Sequence, residues 1–322
     1  MQAGPRRRRR LPPVSPLRAV LGLVLVAVML AAGLVVWWVL PLTDRGQGVI
    51  PQSSLTGVVP QTPSSGSGVT RPLSAAGAST KPIPGVRLAS GIVIDAGSGR
   101  VLWSRHPHTR RPIASLTKLM TAFLADRPGT LGKRFLVTPA MTGEAGYTIG
   151  LRSGQRVGVR DMLAAMLIAS ANDAADALAV HRSGSISRFV ALMNRQARRM
   201  KLSDTRYSNP SGIIDAGNAS SAWDVADLTR YVLARPALRR LVSSKVYQPA
   251  QGAPYVNRNQ LLWTYPDADG VKTGQTTLAG NCLVASARRH GHTVIAVELG
   301  AGTDQFQVAA RMLDWGFRRV RR

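Results

Sequence analysis

The chain has 322 residues and a formal net charge of +26, with 42 Lys and Arg against 16 Asp and Glu. Such a charge often indicates a nucleic-acid partner, but its densest part, Arg6–Arg10, precedes an apolar segment and indicates a membrane instead, so we predict no nucleic-acid partner. The single cysteine, Cys282, excludes an intrachain disulfide, so the fold must depend on its core.

The first predicted element is a membrane anchor. An apolar run of 24 residues without charge, residues 19–42, follows the arginines, and as a helix it would span ~36 Å against a hydrocarbon core of ~30 Å. The arginines before it and Trp37 and Trp38 near its end predict that a basic N-terminus, residues 1–18, is cytoplasmic. We therefore expect a single-pass protein of the cell membrane whose main domain is extracytoplasmic. The alternative is a cleaved signal peptide, whose apolar region is typically about 7–15 residues.

Two further regions follow the anchor. Residues 43–84 are rich in Ser, Thr, Pro and Gly and predict a flexible linker. Residues 85–322 are predicted to form one folded domain, which is long enough to bury a sizeable core.

The folded domain combines strand and helix patterns. It opens with the hairpin pattern SGIVIDAGSGRVLWSRH, and near its end GVKTG, NCLVASARR and HTVIAVELG predict adjacent strands. The predicted helices are Ser115–Asp126, four that start at Asp161, Asn172, Ser187 and Ala222, and a final one at Asp304–Arg318. We therefore predict an α+β fold, with an antiparallel sheet built from the N-terminal hairpin and the C-terminal strands, packed with helices, plus an α-rich subdomain.

The start of the first predicted helix carries a candidate nucleophile and base. Ser115 and Lys118 are three positions apart, so their side chains lie on one helix face. A serine hydroxyl needs a base, and a lysine can act as one if burial and a second cation lower its pKa from about 10.4. A serine at a helix start is also a common N-cap, which is the alternative. The chain has only 6 lysines against 36 arginines, and arginine cannot act as a base, which favours a catalytic lysine.

Two more motifs carry candidate polar groups. Lys272-Thr273-Gly274 falls in a predicted strand, where a glycine lets a ligand approach the backbone and the lysine can attract a carboxylate. Ser170 and Asn172 lie between two helical patterns, where a hydroxyl can relay a proton and an amide can hydrogen-bond a substrate. A surface lysine and an ordinary helix cap are the respective alternatives.

In this order the three motifs resemble those of penicillin-binding proteins and serine β-lactamases. The surrounding sequence is similar to the serine D-alanyl-D-alanine carboxypeptidases, the low-molecular-mass penicillin-binding proteins, over about Val86 to Phe317. The similar segments are PIASLTKLMTA, IASANDAADALA, YSNPSGIID, GVKTGQTTLAGNCLVASA and MLDWGF.

The resemblance implies a β-lactamase/transpeptidase-like fold and a role for each motif residue. Ser115 would be acylated by peptidoglycan stem peptides ending in D-Ala-D-Ala, and by β-lactam antibiotics. Lys118 would take the serine proton and Ser170 would help to pass it to the departing D-alanine. The residues implied in substrate binding are Lys272 and Thr273 for the carboxylate, Gly274 beside them, Asn172 for the peptide amide, and the N–H groups of Ser115 and Gln275 for the oxyanion. No cofactor and no metal are implied.

The chain departs from the family pattern after the last strand. Many members carry an arginine there that assists carboxylate binding, whereas Leu299 to Thr303 supplies none. A class A β-lactamase would need a glutamate between the second and third motifs. Glu144 and Glu298 both lie outside that interval, so we expect a stable penicillin adduct.

Several alternatives stay open from sequence alone. A D,D-endopeptidase acting on peptidoglycan cross-links would use the same residues, and a catalytically impaired wall-binding penicillin-binding protein would keep the fold. The basic surface of the folded domain could bind anionic wall polymers, or could reflect a preference for arginine codons.

We also expect Lys272 to be the second cation that lowers the pKa of Lys118.

Overall fold

The computed structural model describes residues 71–213 and 217–320. The strands are β1 Leu88–Asp95, β2 Val101–Arg105, β3 Arg111–Pro112, β4 Arg134–Leu136, β5 Arg156–Gly158, β6 Ala219–Ser220, β7 Val246–Tyr247, β8 Tyr255–Val256, β9 Ala268–Thr276, β10 Gly280–Arg289 and β11 His292–Ala301. The α-helices are α1 Lys118–Ala125, α2 Val159–Ala164, α3 Asn172–Ser183, α4 Ile186–Arg199, α5 Ala222–Leu233, α6 Pro236–Ser243, α7 Leu261–Thr264 and α8 Gln305–Val320.

The main sheet has five strands in the order β2-β1-β11-β10-β9, and every pair is antiparallel. The register places Val297 opposite both Ile92 and Val284. The N-terminal hairpin therefore pairs with the last strand of the chain, which confirms the predicted α+β sheet. β9 and β2 are the edge strands, so β9 has one side free to meet another element.

Helices cover both faces of this sheet. On one face Ile92, Val284 and Val297 pack in a core with residues of α1, α3 and α5. On the other face Val93 and Ala296 join a second core that contains the inner side of α8. Because both faces are buried, the central strands are nearly continuous apolar runs rather than alternating ones.

The helical region between the two halves of the sheet agrees with most of the predicted helices, with three differences. The helix predicted from Ser115 begins as a 3-10 turn, Ala114–Thr117, before α1. The helix predicted from Asp161 starts at Val159 and ends as a π-helical turn, Ala165–Ala169. The short helices α6 and α7 were not predicted, since proline at the first position of α6 looks like a helix breaker in sequence although it suits that position.

The predicted linker is too long at its C-terminal end. Ser74 and Ser79 form bridges with Arg100 and Trp103 of the β1–β2 hairpin, and Ile83 is only 3% exposed. The folded part therefore begins no later than residue 71, and not at residue 85. The Ser- and Gly-rich composition of residues 71–84 hid this boundary, because backbone groups of this segment, rather than a regular apolar pattern, bond to the hairpin.

The predicted N-terminal regions fall outside the described residues. These are the cytoplasmic segment 1–18, the anchor 19–42 and residues 43–70 of the linker. Within the part of the chain that the structure describes, no helix has both the length and the apolar character needed to cross a bilayer.

Candidate active site

Ser115 and Lys118 are brought together by the 3-10 turn that leads into α1. The Nζ atom of Lys118 lies 3.0 Å from the Oγ atom of Ser115. Lys118 is 0% exposed, whereas Ser115 remains partly accessible to solvent. The predicted pairing of hydroxyl and amine is therefore present, with the amine in the protein interior.

Two further contacts define what Lys118 can do. Its Nζ donates to the Oδ1 atom of Asn172 at 2.7 Å and to the carbonyl oxygen of Ser211 at 2.6 Å. The amide of Asn172 is oriented by its own N–H donation to the Ala145 carbonyl, at 2.7 Å. Both partners can only accept, so a neutral amine can donate to each of them and direct its lone pair at the Ser115 hydroxyl.

Burial lowers the pKa of Lys118 from 10.5 to about 7. Arg258 also lowers this pKa, while the carboxylates of Asp176, Glu144 and Asp173 raise it. The predicted second cation, Lys272, interacts with Lys118 as a like charge, which lowers the pKa of Lys272, and Arg258 is a further cation that lowers the pKa of both lysines. At a pH above about 7 the amine is mainly neutral and can accept a proton.

Ser170 and Lys272 form a second contact pair. Ser170 has φ 69°, in the left-handed region, at the end of the π-helical turn. Its Oγ atom accepts from the Nζ atom of Lys272 at 3.0 Å, and the same Nζ donates to the Thr273 carbonyl at 2.9 Å. Lys272 is only 2% exposed, and burial, with Lys118 and Arg258, holds its pKa well below the usual range.

The strand β9 lies directly against the turn that carries Ser115. A Cβ atom on Gly274 would stand 3.1 Å from both the Ser115 nitrogen and the Ile113 oxygen. A glycine fits this close approach of the Ser115 turn without a shift of either backbone, whereas the close approach of a ligand, which the sequence predicted at Gly274, stays a prediction. Thr273 and Gln275 on either side of Gly274 remain accessible, so the edge of β9 is open beside the Ser115 hydroxyl.

A loop packs on the start of α3 and holds Asn172 in place. The N–H of Asn172 donates to the Tyr147 carbonyl at 2.8 Å. The carboxylate of Asp173 accepts from the N–H groups of Ile149 and Leu151, each at 3.1 Å. These backbone contacts fix the amide that holds Lys118, and nothing in the sequence pattern predicted them.

The structure adds charged groups that the motifs did not identify. Arg258 stacks on the ring of Tyr147, with 4.2 Å from its guanidinium carbon to the ring centre, and acts on both lysines. Glu144 and Asp176 also act on Lys118, although Glu144 lies outside the sequence interval in which a glutamate was sought. With 36 arginines in the chain, Arg258 carried no distinguishing signal.

The end of β11, after which the family's arginine is missing, lies beside an arginine from another strand. The Nη2 atom of Arg111, in β3, would lie 2.9 Å from a Cβ atom on Gly300. The Nε atom of Arg111 is buried and has no hydrogen-bond partner among the described residues. A guanidinium is thus present beside the end of β11, although the sequence after that strand supplies none.

The sequence of the chain is similar to that of one known protein family. Residues 77–303 match the sequence family described as D-alanyl-D-alanine carboxypeptidase. The D-alanyl-D-alanine carboxypeptidase DacF of Bacillus subtilis is 34% identical over 239 residues, which cover 71% of this chain and 61% of that protein. The chain also covers 64% of the length of DacD from Escherichia coli, so it spans less than two thirds of both relatives.

Two solved structures share the fold. A D-alanyl-D-alanine carboxypeptidase from Mycobacterium tuberculosis matches with a TM-score of 0.70 at 30% identity, over 74% of this chain and 94% of that one. Penicillin-binding protein 6B from Escherichia coli matches with a TM-score of 0.68 at 33% identity, over 74% of this chain and 80% of that one.

Proposed function

The chain belongs to the D-alanyl-D-alanine carboxypeptidase family, as its motifs predicted, and from this membership we propose that it removes the terminal D-alanine from peptidoglycan stem peptides. The reaction would proceed through an acyl-enzyme on Ser115. The observation that carries this proposal is the set of contacts of Lys118, because its amine meets two acceptors and the Ser115 hydroxyl.

The acylation step uses the neutral amine as a general base. The Oγ atom of Ser115 attacks the carbonyl carbon of the penultimate D-alanine, and its proton passes to the Nζ atom of Lys118. The N–H groups of Ser115 and Gln275 hold the oxyanion. When the C–N bond breaks, Ser170 relays the proton to the nitrogen of the leaving D-alanine, which departs as the free amino acid.

The substrate would lie along the open edge of β9 as an added strand. Lys272 and Thr273 would hold the terminal carboxylate, and the amide of Asn172 would hydrogen-bond the peptide. Gly274 would keep the backbone close to the scissile bond, because no side chain there separates it from Ser115. Water then hydrolyses the ester, which releases the shortened peptide and restores Ser115.

β-Lactams would acylate Ser115 by the same route, since their ring amide occupies the place of the scissile bond. Glu144 and Glu298 both lie outside the interval between Ser170 and Lys272, in which a class A β-lactamase carries the glutamate that directs the deacylating water. We therefore expect a penicillin adduct that persists, in contrast to the turnover of a class A β-lactamase.

We also propose that the protein is located at the cell membrane. Residues 19–42 are apolar and long enough to span a bilayer, and the arginines before them favour a cytoplasmic N-terminus. The described domain would then work outside the membrane, where its substrate is. Its excess of arginine would let it bind anionic wall polymers, and this binding should weaken with salt if the contact is electrostatic.

The proposed reaction is tested by incubating the protein with a pentapeptide that ends in D-Ala-D-Ala and with peptidoglycan dimers. We expect free D-alanine and a peptide shorter by one alanine. The variant Ser115→Ala should release none, whereas Ser243→Ala, on α6, should behave as wild type. Monomers formed from dimers without D-alanine release would identify an endopeptidase, and D-alanine release by Ser115→Ala would contradict the mechanism.

A further inference from the structure

Basic side chains are concentrated around the C-terminal end of α4, apart from the contacts of Ser115 and Lys118. Residues 186–206 contain six Arg and Lys and only one acid, Asp204. That acid already has a partner, because its Oδ2 atom lies 3.0 Å from the Nδ1 atom of His108. The positive charge of this segment is therefore not balanced within the segment.

Four basic side chains from three segments line one open groove, which has a volume of about 670 Å³. They are Arg198 on α4, Lys201 just after it, Arg206, which pairs with Ala219 of β6, and Arg110, which directly precedes β3. All four are exposed, and in the described part of the chain none of their side chains has a hydrogen-bond or ion-pair partner. The other lining residues are uncharged.

The dipole of α4 explains only part of this cluster. Basic side chains near a helix C-terminus interact favourably with its last carbonyl groups, which accounts for Arg198 and Lys201. Arg206 and Arg110 belong to extended segments. Arg206 exchanges two backbone hydrogen bonds with Ala219, of 2.8 and 3.0 Å, and the strand after Arg110 pairs with the same β6. Four like charges around one groove repel each other, and a bound anion would relieve this repulsion.

The backbone that carries these side chains is held in place by other contacts. The side chain of Asn194, on α4, donates to the Tyr207 carbonyl at 2.8 Å and accepts from the Tyr207 N–H at 2.9 Å. The Oγ1 atom of Thr205 donates to the buried carboxylate of Asp224 at 2.7 Å. A ligand would therefore order exposed side chains but no backbone, which keeps the entropic cost of binding small.

We propose that this groove binds a linear polymer whose repeating charge is a phosphodiester, as in anionic polyol phosphates of a cell wall. Three of the four cations are arginines, whose planar guanidinium can donate two hydrogen bonds to one phosphate. No aromatic side chain lines the groove, which disfavours a single-stranded nucleic acid, whose bases stack on such rings. Its large apolar lining residue, Leu202, is 3% exposed, so the groove presents nothing that would insert into a lipid surface.

The groove is connected through short segments to the site around Ser115. Arg110 is five residues before Ser115, and Arg206 is five residues before Ser211, whose carbonyl accepts from Lys118 at 2.6 Å. Five residues span at most ~18 Å when fully extended. A bound wall polymer would keep the peptidoglycan to which it is attached near Ser115 and raise the effective concentration of substrate. This kinetic consequence rests on the proposed function, whereas binding of the polymer does not.

The test measures the affinity of the full chain, in detergent, for poly(glycerol phosphate) at about 0.15 M salt. The groove variant combines Arg110→Gln, Arg198→Gln, Lys201→Gln and Arg206→Gln. The control variant combines Arg127→Gln, Lys133→Gln, Arg152→Gln and Arg240→Gln, at exposed positions that do not line the groove, so both variants lose four charges. Circular dichroism verifies the fold of both.

We expect the groove variant to bind the polymer about tenfold more weakly than wild type, because it loses four exposed charge contacts. The control variant should stay within about twofold of wild type, since salt screens charges beyond about 8 Å. Equal losses in the two variants would mean attraction by overall charge and would overturn a defined site. Wild-type protein that does not bind poly(glycerol phosphate) would also overturn it.

The same assay distinguishes the other polyanions. Tighter binding of polygalacturonate, of oligodeoxythymidylate or of vesicles with an anionic phospholipid, compared at equal charge, would contradict the assigned partner. In each case free poly(glycerol phosphate) competes for wild-type protein, so this comparison does not depend on the folding of any variant.

The rate of penicillin labelling separates this inference from the proposed function. Wild type and both variants should be labelled equally fast, because none of the changes touches the site around Ser115. The groove variant should release D-alanine more slowly than the control variant from peptidoglycan that carries the polymer, and equally fast from peptidoglycan stripped of it. Slower release from both materials would contradict a role of the groove in holding the wall. Absence of labelling in wild type, with polymer binding intact, would contradict the proposed function alone.

Discussion

At the scale of single residues, the protonation state of Lys118 decides whether the site can react. Its Nζ atom has three hydrogen-bond partners, which are the Ser115 hydroxyl, the Asn172 amide oxygen and the Ser211 carbonyl oxygen. Of these three groups only the Ser115 hydroxyl can give up a proton. Full burial lowers its pKa to about 7, so the amine can act near neutral pH. The acylation rate should therefore rise with pH through about 7, and fall in acid as Lys118 becomes charged.

Replacing this amine by a permanent cation should remove the base and keep the charge. Because arginine does not deprotonate in proteins, Lys118→Arg should lower the acylation rate by about 10²–10⁴-fold, with no recovery at high pH. The rate is measured with a fluorescent penicillin. Lys133→Arg makes the same change at an exposed lysine and should have no effect. Recovery of Lys118→Arg above pH 9 would mean that another group is the base.

The sequence predicted the residues whose type is chemically unusual in this chain. Ser115 and Lys118 stood out by their spacing, and lysine stood out because it is scarce. Asp176, Arg258 and the Ser211 carbonyl could not be predicted in the same way. Every residue has a backbone carbonyl, so the Ser211 carbonyl gives no signal in the sequence. Arg258 is one of 36 arginines, and an aspartate in a helix is common. Their roles depend on proximity in the fold.

At the scale of elements, the site depends on how closely β9 approaches the turn Ala114–Thr117. A Cβ atom on Gly274 would force a shift of a few tenths of an ångström, since it would stand 3.1 Å from the Ser115 nitrogen. The segment Pro210–Gly212 approaches the turn more closely still, because a Cβ atom on Gly212 would overlap the Ala114 carbonyl oxygen. The Ser115 turn thus packs against two other backbone segments.

Gly274→Ala should therefore slow acylation without unfolding the protein. We expect a loss of about tenfold in the acylation rate, since a displacement of ~1 Å can cost about 10²-fold. Gly132→Ala is the matched control, because a Cβ there meets nothing within 4 Å. Circular dichroism verifies the fold of both variants. Equal rates for Gly274→Ala and wild type would show that β9 does not need this close approach.

Long and strongly patterned elements were predicted from sequence, and irregular ones were not. The five strands of the main sheet and the helices α1, α3, α4, α5 and α8 follow their apolar patterns closely. The π-helical turn Ala165–Ala169 looks like ordinary helix in sequence, because its residues are equally apolar. The turn matters for function because it ends on Ser170 in a left-handed conformation.

At the scale of the whole molecule, the domain includes residues that composition assigned to a linker. Ile83 is buried with Trp103 and α8 in the second core, and the backbone of residues 74–79 is bonded to the hairpin. Ile83→Ala should lower the free energy of unfolding by about 2–5 kcal/mol, measured by denaturant unfolding. Val246→Ala, at a residue 54% exposed, should change it little. Equal effects would mean that residues 71–84 are not part of the folded unit.

Peptide mapping of the penicillin adduct shows directly whether Ser115 is the nucleophile. After incubation with a penicillin, the full chain is digested and the modified residue is identified by mass spectrometry. We expect one adduct, on Ser115, in wild type and none in Ser115→Ala. An adduct on Ser170 or on any other residue, or an unmodified Ser115 in labelled protein, would contradict it.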